Sequence, residues 1–134
     1  LDEHSSRLNA VVDVFGPTDL TQDFSAWRIG AVSVQSLVDD FIGTRKPAEQ
    51  IKAEQKEASP ALRIDAKTVP FLIFHGDKDS IVPVEQSRKA AEAIMKINPL
   101  AKYTEVAGTG HNSWDNTYNS ASFIAWLFAQ KKHQ

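Results

Sequence analysis

Apolar positions along the chain fall into two kinds of pattern. Short runs rich in β-branched and aromatic residues predict three buried strands: Ala10-Val-Val-Asp-Val-Phe15, Val69-Pro-Phe-Leu-Ile-Phe-His75 and Ala101-Lys-Tyr-Thr-Glu-Val106. The second is apolar on both faces, as a strand covered on both sides of a parallel sheet must be. Pro70 stands at its start, where a missing N–H costs least. Apolar residues three and four apart predict helices. Val34, Leu37, Val38, Phe41 and Ile42 form one stripe, with Ser36 and Asp39 at capping-box spacing and Gly43 as a stop. Residues 47–57 are polar and read as an exposed helix. Residues 83–97 read as a helix with Pro83 near its start and Ser87, Ala91, Ile94 and Asn98 on one face. A last helix over about 120–131 carries Ile124, Leu127 and Phe128 on one stripe, with Lys131 and Lys132 suited to its C-terminal end.

Strands alternating with helices imply crossover connections and a parallel sheet, so the fold class is α/β with about three parallel strands and flanking helices. Residues 17–60 are the least regular part and read as a helical excursion or lid-like insertion between two strands of one sheet. No repeat and no interdomain linker interrupts the rest. The 134 residues suffice for one domain. Apolar residues make up 42% and charged residues 24%, the balance of a globular chain.

Lys and Arg total 15 against 17 Asp and Glu, a net charge of −2. No basic excess is present to neutralise a phosphate backbone, so no nucleic-acid partner is expected. The longest apolar runs reach six or seven residues, as in Phe123–Ala129, so no membrane span is expected either. There is no cysteine, which excludes a disulfide framework, a thiolate metal site and a cysteine nucleophile. The chain opens Leu1-Asp-Glu-His4 without an initiator Met. It is therefore expected to begin inside something longer or to have been processed.

In an open α/β sheet, ligands bind outside the carboxyl ends of the strands. Gly16-Pro-Thr-Asp-Leu20 follows the first strand, Gly76-Asp-Lys-Asp-Ser-Ile-Val-Pro83 the second and Gly108-Thr-Gly-His-Asn-Ser-Trp114 the third. A carboxylate-rich turn and a glycine-flanked histidine thus share one edge of the sheet. A carboxylate beside an imidazole fixes its tautomer and stabilises the imidazolium, which frees the second nitrogen to activate a hydroxyl.

The segment His75-Gly-Asp-Lys-Asp-Ser-Ile-Val-Pro83-Val-Glu-Gln-Ser87 resembles the acid-bearing turn of α/β-hydrolases, of form HGDxDxxVP…QS. Ala58-Ser-Pro60 before it and Gly108-Thr-Gly-His111 after it match the same pattern, and Val14-Phe-Gly-Pro-Thr-Asp-Leu20 is similar to the segment that follows the nucleophile helix. The set resembles the feruloyl/acetyl-esterase-like (BD-FAE-like) branch, near the prolyl-oligopeptidase-related hydrolases, over nearly the whole chain. The resemblance implies that Asp79 is the catalytic acid, that His111 is the general base and that Asp77 shapes the turn. It implies an acetyl, aryl or feruloyl ester as small-molecule substrate, hydrolysed through an acyl-enzyme with no metal or organic cofactor. Asn112 stands where relatives often carry Gly.

The family's nucleophile lies in G-x-S-x-G on a strand-to-helix elbow, and no such string occurs here. Ser33 has the wrong spacing, Ser80 abuts the acid, and Ser113 is two residues from the base. The nucleophile is therefore expected upstream of Leu1, with this chain as the C-terminal half of one catalytic domain and inactive alone. Its first strand would lack a sheet neighbour, so the isolated chain is expected to dimerise or pair through that edge.

Other readings stand beside these. Asp79 could cap a helix or stiffen a turn. His75 reads as a buried hydrogen-bonding residue, and His4 and His133 as solvated terminal ones. His75, Asp77 and Asp79 alternate and could hold a metal for a metal-dependent hydrolase, although ligands from further elements are missing. Val82, Trp114 and Trp27 could line a substrate cleft, or the tryptophans could pack a loop. Residues 45–57 could form a lid, though a solvated helix face fits them better. As a whole, the chain could instead be a catalytically silent binding module, one chain of a split enzyme, or part of a prolyl-oligopeptidase-type peptidase.

Overall fold

The computed structural model describes residues 8–130. His4, His133, Lys131 and Lys132 lie outside the described residues. Three parallel strands form the sheet: β1 (Val11–Val14), β4 (Phe71–Gly76) and β5 (Lys102–Val106), in the order β1-β4-β5. The register pairs Val14 with Phe74 and Gly76 with Val106, so all three strands run out toward the same edge.

The central strand β4 explains the layering. Its side chains alternate, and both sets are buried. Ile73 packs with Ala90, Ala91 and Ile94 of α3 (Val84–Ile97). Leu72 and Phe74 pack on the other face with Phe123 and Trp126 of α5 (Ala121–Ala129). Ile73, Ile94, Leu72, Phe74 and Phe123 each contribute about 2 kcal/mol by leaving water. The flanking strands are less covered than the sequence pattern predicts. In β5, Lys102, Thr104 and Glu105 are exposed, and β1 is half-buried throughout. Among the described residues each pairs with β4 along one side only, and edge strands are not enclosed as a central strand is.

Residues 17–60 leave the sheet after β1 and return before β4. They contain a two-residue-per-strand hairpin, β2 (Arg28–Ile29) with β3 (Val32–Ser33), then α1 (Val34–Ile42) and α2 (Ala48–Glu57). A 3-10 turn over Pro60–Leu62 follows. This excursion has its own small core of Leu20, Phe24, Val34, Val38 and Ile42, against which Trp27 packs. The hairpin is too short to carry a strand pattern. In α1 the apolar stripe divides: Val34, Val38 and Ile42 are buried, while Leu37 and Phe41 are exposed. Gly43 closes the helix at φ 79. Ser36 and Asp39 do not form a capping box, because the helix starts earlier, at Val34. Ser36 Oγ donates to Ser33 O at 2.7 Å, and Gln35 Nε2 donates to Asp39 Oδ1. No residue of α2 is fully buried, which agrees with its polar sequence.

The last helix, α5, differs from its predicted stripe. Phe123 and Trp126 are buried, while Ile124 and Phe128 face out at 46% and 80% exposure. The helix is apolar almost all round, so spacing alone selects no face. The selection comes from Trp126 Nε1, which donates to Leu100 O at 2.9 Å, and from the edge-on contact of Phe123 with Phe74. Among the described residues no helix is long and apolar enough to cross a membrane.

Polar side chains fasten the excursion to the sheet. Gln86 of α3 is buried, and its Oε1 accepts the N–H groups of Thr18 (3.0 Å) and Asp19 (2.8 Å). Thr18 Oγ1 donates to Gln86 O at 2.8 Å. Ser59 Oγ accepts from Leu20 N and donates to Gln55 O. Gln86→Ala leaves two amides without their acceptor and is expected to cost about 2–3 kcal/mol. Gln86→Glu keeps the acceptor and should cost less. Urea denaturation of the two variants checks this; equal losses would remove the acceptor as the cause.

Candidate active site

Two loops leave the sheet on adjacent strands, and their backbones touch. The first follows β4, the second follows β5. A Cβ on Gly76 would lie 2.2 Å from Thr109 O and 2.3 Å from Gly110 O, so only glycine permits the approach. Lys78 N donates to Thr109 O at 2.9 Å and Asp77 N to Val106 O at 3.2 Å. This contact brings Asp79, at the end of one loop, to His111, at the end of the other. His111 Nδ1 lies 2.8 Å from Asp79 Oδ2.

Asp79 has no exposed side-chain surface, so its charge must be met by donors. Oδ1 accepts the N–H groups of Ile81 (2.7 Å) and Val82 (2.9 Å). Oδ2 faces His111 Nδ1 and, at 3.2 Å, His75 Nε2. His75 is itself fully buried on the α3 face of β4. Its Nε2 faces two acceptors, Asp79 Oδ2 and Val82 O (3.0 Å), so that nitrogen carries the proton. Its Nδ1 is paired with Ser87 Oγ at 2.7 Å. His75 thereby donates to Asp79 through Nε2, and both its nitrogens are used. Burial raises the Asp79 carboxyl, but bonds from His75, Val82, His111 and Ile81 outweigh it and bring the pKa down to about 2.

With Nδ1–H given to Asp79, His111 keeps its Nε2 as an acceptor. That nitrogen makes no hydrogen bond among the described residues. The imidazole is a quarter exposed and forms part of the wall of a cavity of about 540 Å³. The rest of the wall is apolar and includes Pro17, Leu37, Phe41, Ile81 and Val82, so the exposed residues of α1 face this space. His111 is the one titratable side chain on it among the described residues. The arrangement can take a proton from a hydroxyl brought to Nε2 and can hold an apolar group alongside.

The four residues singled out from the sequence are thus placed unequally. Asp79 and His111 meet, and Val82 is buried on the cavity wall. Trp114 lies outside the cavity and flanks His111 edge-on, with ring centroids 6.3 Å apart. Trp27 packs on the core of the excursion. Asp77 is engaged through its backbone, and its Oδ1 is buried without a partner. Among the described residues no three His, Asp or Glu side chains gather as metal ligands. Ser113 is fully buried and Ser80 exposed, neither on the cavity wall. Asn112 is exposed and donates to Asp115 Oδ2, so the loop accommodates it. Sequence reasoning missed the cavity residues of α1 and the ring of Phe15, whose centroid lies 4.2 Å from that of His111. The pairs Gln86–Thr18 and Ser87–His75 had a signal: both side chains stand in the Gln-Ser dipeptide that ends the acid-bearing motif.

Residues 1–94 match the BD-FAE family model. The chain belongs to the BD-FAE family. It is 27% identical over 110 residues to esterase LipC of Mycobacterium tuberculosis, covering 79% of this chain and 26% of the relative. It is 28% identical over 112 residues to the probable carboxylic ester hydrolase LipM of the same organism, covering 82% of this chain and 25% of the relative. Among solved structures, a truncated carbohydrate esterase from gut microbiota superposes with a TM-score of 0.60 at 29% identity, covering 92% of this chain and 42% of that one. The α/β-hydrolase fold follows from these matches and the parallel sheet. The chain spans about a quarter of the length of the curated relatives it matches.

The lowered Asp79 value has a consequence for acid stability. The ordinary value is 3.8 and the folded one about 2. The carboxylate's contribution is therefore complete above about pH 4 and is lost as pH falls through 2. It amounts to about 2 kcal/mol. Urea midpoints measured from pH 5 to 2 should fall, and Asp79→Asn should flatten that slope while lowering stability at pH 7. An unchanged slope in Asp79→Asn would place the acid lability elsewhere.

Proposed function

We propose that this chain supplies the acid and base of a serine carboxylic-ester hydrolase. The observation that carries the reading is the Asp79–His111 pair, with His111 on the wall of an apolar cavity and its Nε2 free of hydrogen bonds among the described residues. Membership of the BD-FAE family and the esterase names of LipC and LipM support it. The chain itself holds no G-x-S-x-G, so the nucleophile is assigned to residues upstream of Leu1, and residues 1–134 to the C-terminal half of one catalytic domain.

In this mechanism the serine hydroxyl gives its proton to His111 Nε2 as its oxygen attacks the ester carbonyl. Asp79 holds the imidazole by Nδ1–H and stabilises the imidazolium. The imidazolium then protonates the departing alcohol, which leaves an acyl-enzyme. Water, deprotonated by His111, releases the acid and restores the serine. The apolar cavity beside Nε2 suits an alkyl or aryl portion of the ester, with residues 17–60 as its lid-like wall. No step requires a metal or an organic cofactor.

In the gene product as encoded, a fluorophosphonate probe should label a serine upstream of residue 1, and the 134-residue chain alone should keep its mass. His111→Ala should lower kcat on an aryl ester by about three orders of magnitude or more with the fold retained. Near-normal turnover in that variant would remove His111 from the mechanism.

A second reading, a silent or split module, is favoured by β1. Its Val11–Val14 backbone pairs with β4 on one side, and no described strand pairs on the other. The 134-residue chain alone should therefore dimerise, exchange strands or aggregate. Sedimentation and amide exchange check this: a clean monomer with slow exchange across Val11–Val14 would count against the open edge.

A further inference from the structure

Phe15 is the only residue other than glycine with positive φ among the described residues, at 50°. A left-handed backbone at a residue with a Cβ costs about 1–2 kcal/mol and persists only where its surroundings fix it. Two bonds fix it here. Phe15 N donates to Phe74 O at 2.8 Å, which continues the β1–β4 pairing one residue past the strand. The next amide, Gly16 N, turns back to donate to Asp13 Oδ1 at 2.9 Å. A Cβ on Gly16 would lie 2.5 Å from that oxygen, so the clip closes only over glycine. The turn thus has a carboxylate, a glycine and a strained backbone in four consecutive residues.

What the turn delivers is the phenyl ring. It lies against His111 at 4.2 Å between centroids, tilted 45°, and against Trp114 at 5.4 Å. The Trp114 ring meets His111 edge-on. The imidazole is therefore held at one end by Asp79 and packed on one side by the Phe15 ring from the end of β1, which is itself backed by Trp114 of α4 (Trp114–Tyr118). A bond to Asp79 alone leaves the ring plane free to swing about that bond. The Phe15 ring packed on it, with Trp114 behind, restricts the swing and keeps water from the side they cover.

We infer that Phe15 is a positioning residue for His111: its strained backbone sets the phenyl ring where it fixes the imidazole plane and aims Nε2 into the cavity. The inference rests on the proposed hydrolase reading. It goes beyond that reading because Phe15 neither touches the proton being transferred nor belongs to the acid–base pair.

The test uses the gene product as encoded and an aryl ester. Phe15→Gly removes the ring and relieves the backbone. Phe15→Leu keeps apolar bulk without the flat ring, and Phe15→Tyr keeps the ring. Phe15→Gly and Phe15→Leu should lower kcat by about ten- to a hundredfold, with KM within about twofold, and Phe15→Tyr should recover most of it. The His111 Nδ1–H proton signal, read by NMR without turnover, should be sharp in the parent and in Phe15→Tyr. It should be exchange-broadened in the other two. A raised KM with unchanged kcat would make Phe15 a cavity wall only and overturn the inference, as would a sharp Nδ1–H signal in all variants. Loss of cooperative unfolding in both Phe15→Gly and Phe15→Leu would assign the ring to fold stability and overturn it too. If His111→Ala stays active, the hydrolase reading fails by itself, and the Nδ1–H signal still decides whether Phe15 positions the imidazole.

Discussion

A carboxylate without access to water has to be met by donors from the protein, and Asp79 is the point at which this chain satisfies that demand. Two donors are local, the N–H groups of Ile81 and Val82 in its own turn. Two are distant, His75 at the end of β4 and His111 beyond β5. Removing a partner from a buried charge costs several kcal/mol, so the turn, the strand end and the histidine loop hold one another in place. Ser87 extends the chain of constraint into α3 by occupying His75 Nδ1, which leaves Nε2 protonated and facing Asp79. The Gly76 contact with Thr109 and Gly110 is what makes the set possible, because any side chain there would part the two loops.

The same constraint explains how much could be read in advance. The central strand was legible because burial on both faces leaves an unbroken apolar run from Phe71 to Phe74, and the acid turn because its residues are tied to fixed roles. Asp79 accepts from two successive amides, Gly76 must lack a Cβ, Gln86 accepts from the amides of Thr18 and Asp19, and Ser87 meets His75. Where many residues satisfy a position equally, the sequence carried less. Helix α5 offered apolar side chains on every side, and its orientation came from Trp126 Nε1 finding Leu100 O. Strand β5 looked buried from its β-branched and aromatic residues, yet its place at the sheet edge leaves Lys102 and Glu105 in solvent. The left-handed backbone of Phe15 had no signal of its own, since phenylalanine is among the residues least suited to it. That mismatch between residue and backbone is the kind expected where a side chain is being held for a purpose.

The excursion over residues 17–60 divides its apolar residues between two tasks. Val34, Val38 and Ile42 secure α1 to Leu20 and Phe24. Leu37 and Phe41, on the same helix, stay uncovered and look onto the space beside His111. A helix that buried all five would be better packed and would leave no apolar wall for a ligand. The polar fastenings from Gln86 and Ser59 hold the excursion's entry and exit, so the wall keeps its place without the extra burial.

Strand β1 joins the sheet's architecture to the chemistry. Among the described residues, nothing pairs with its outer edge from Val11 to Val14. Its carboxyl end carries Phe15 against His111. A parallel strand added at that edge would lie about 4.8 Å from β1. In register with Val11–Val14, its own carboxyl end would come level with Phe15. A residue on the turn leaving such a strand would stand beside the phenyl ring, which packs on His111. Hydrogen-bond pairing along one edge and the contact of Phe15 with His111 at its end are thus served by the same four-residue strand. A strand added at β1 would be led to His111 by the geometry of the sheet itself.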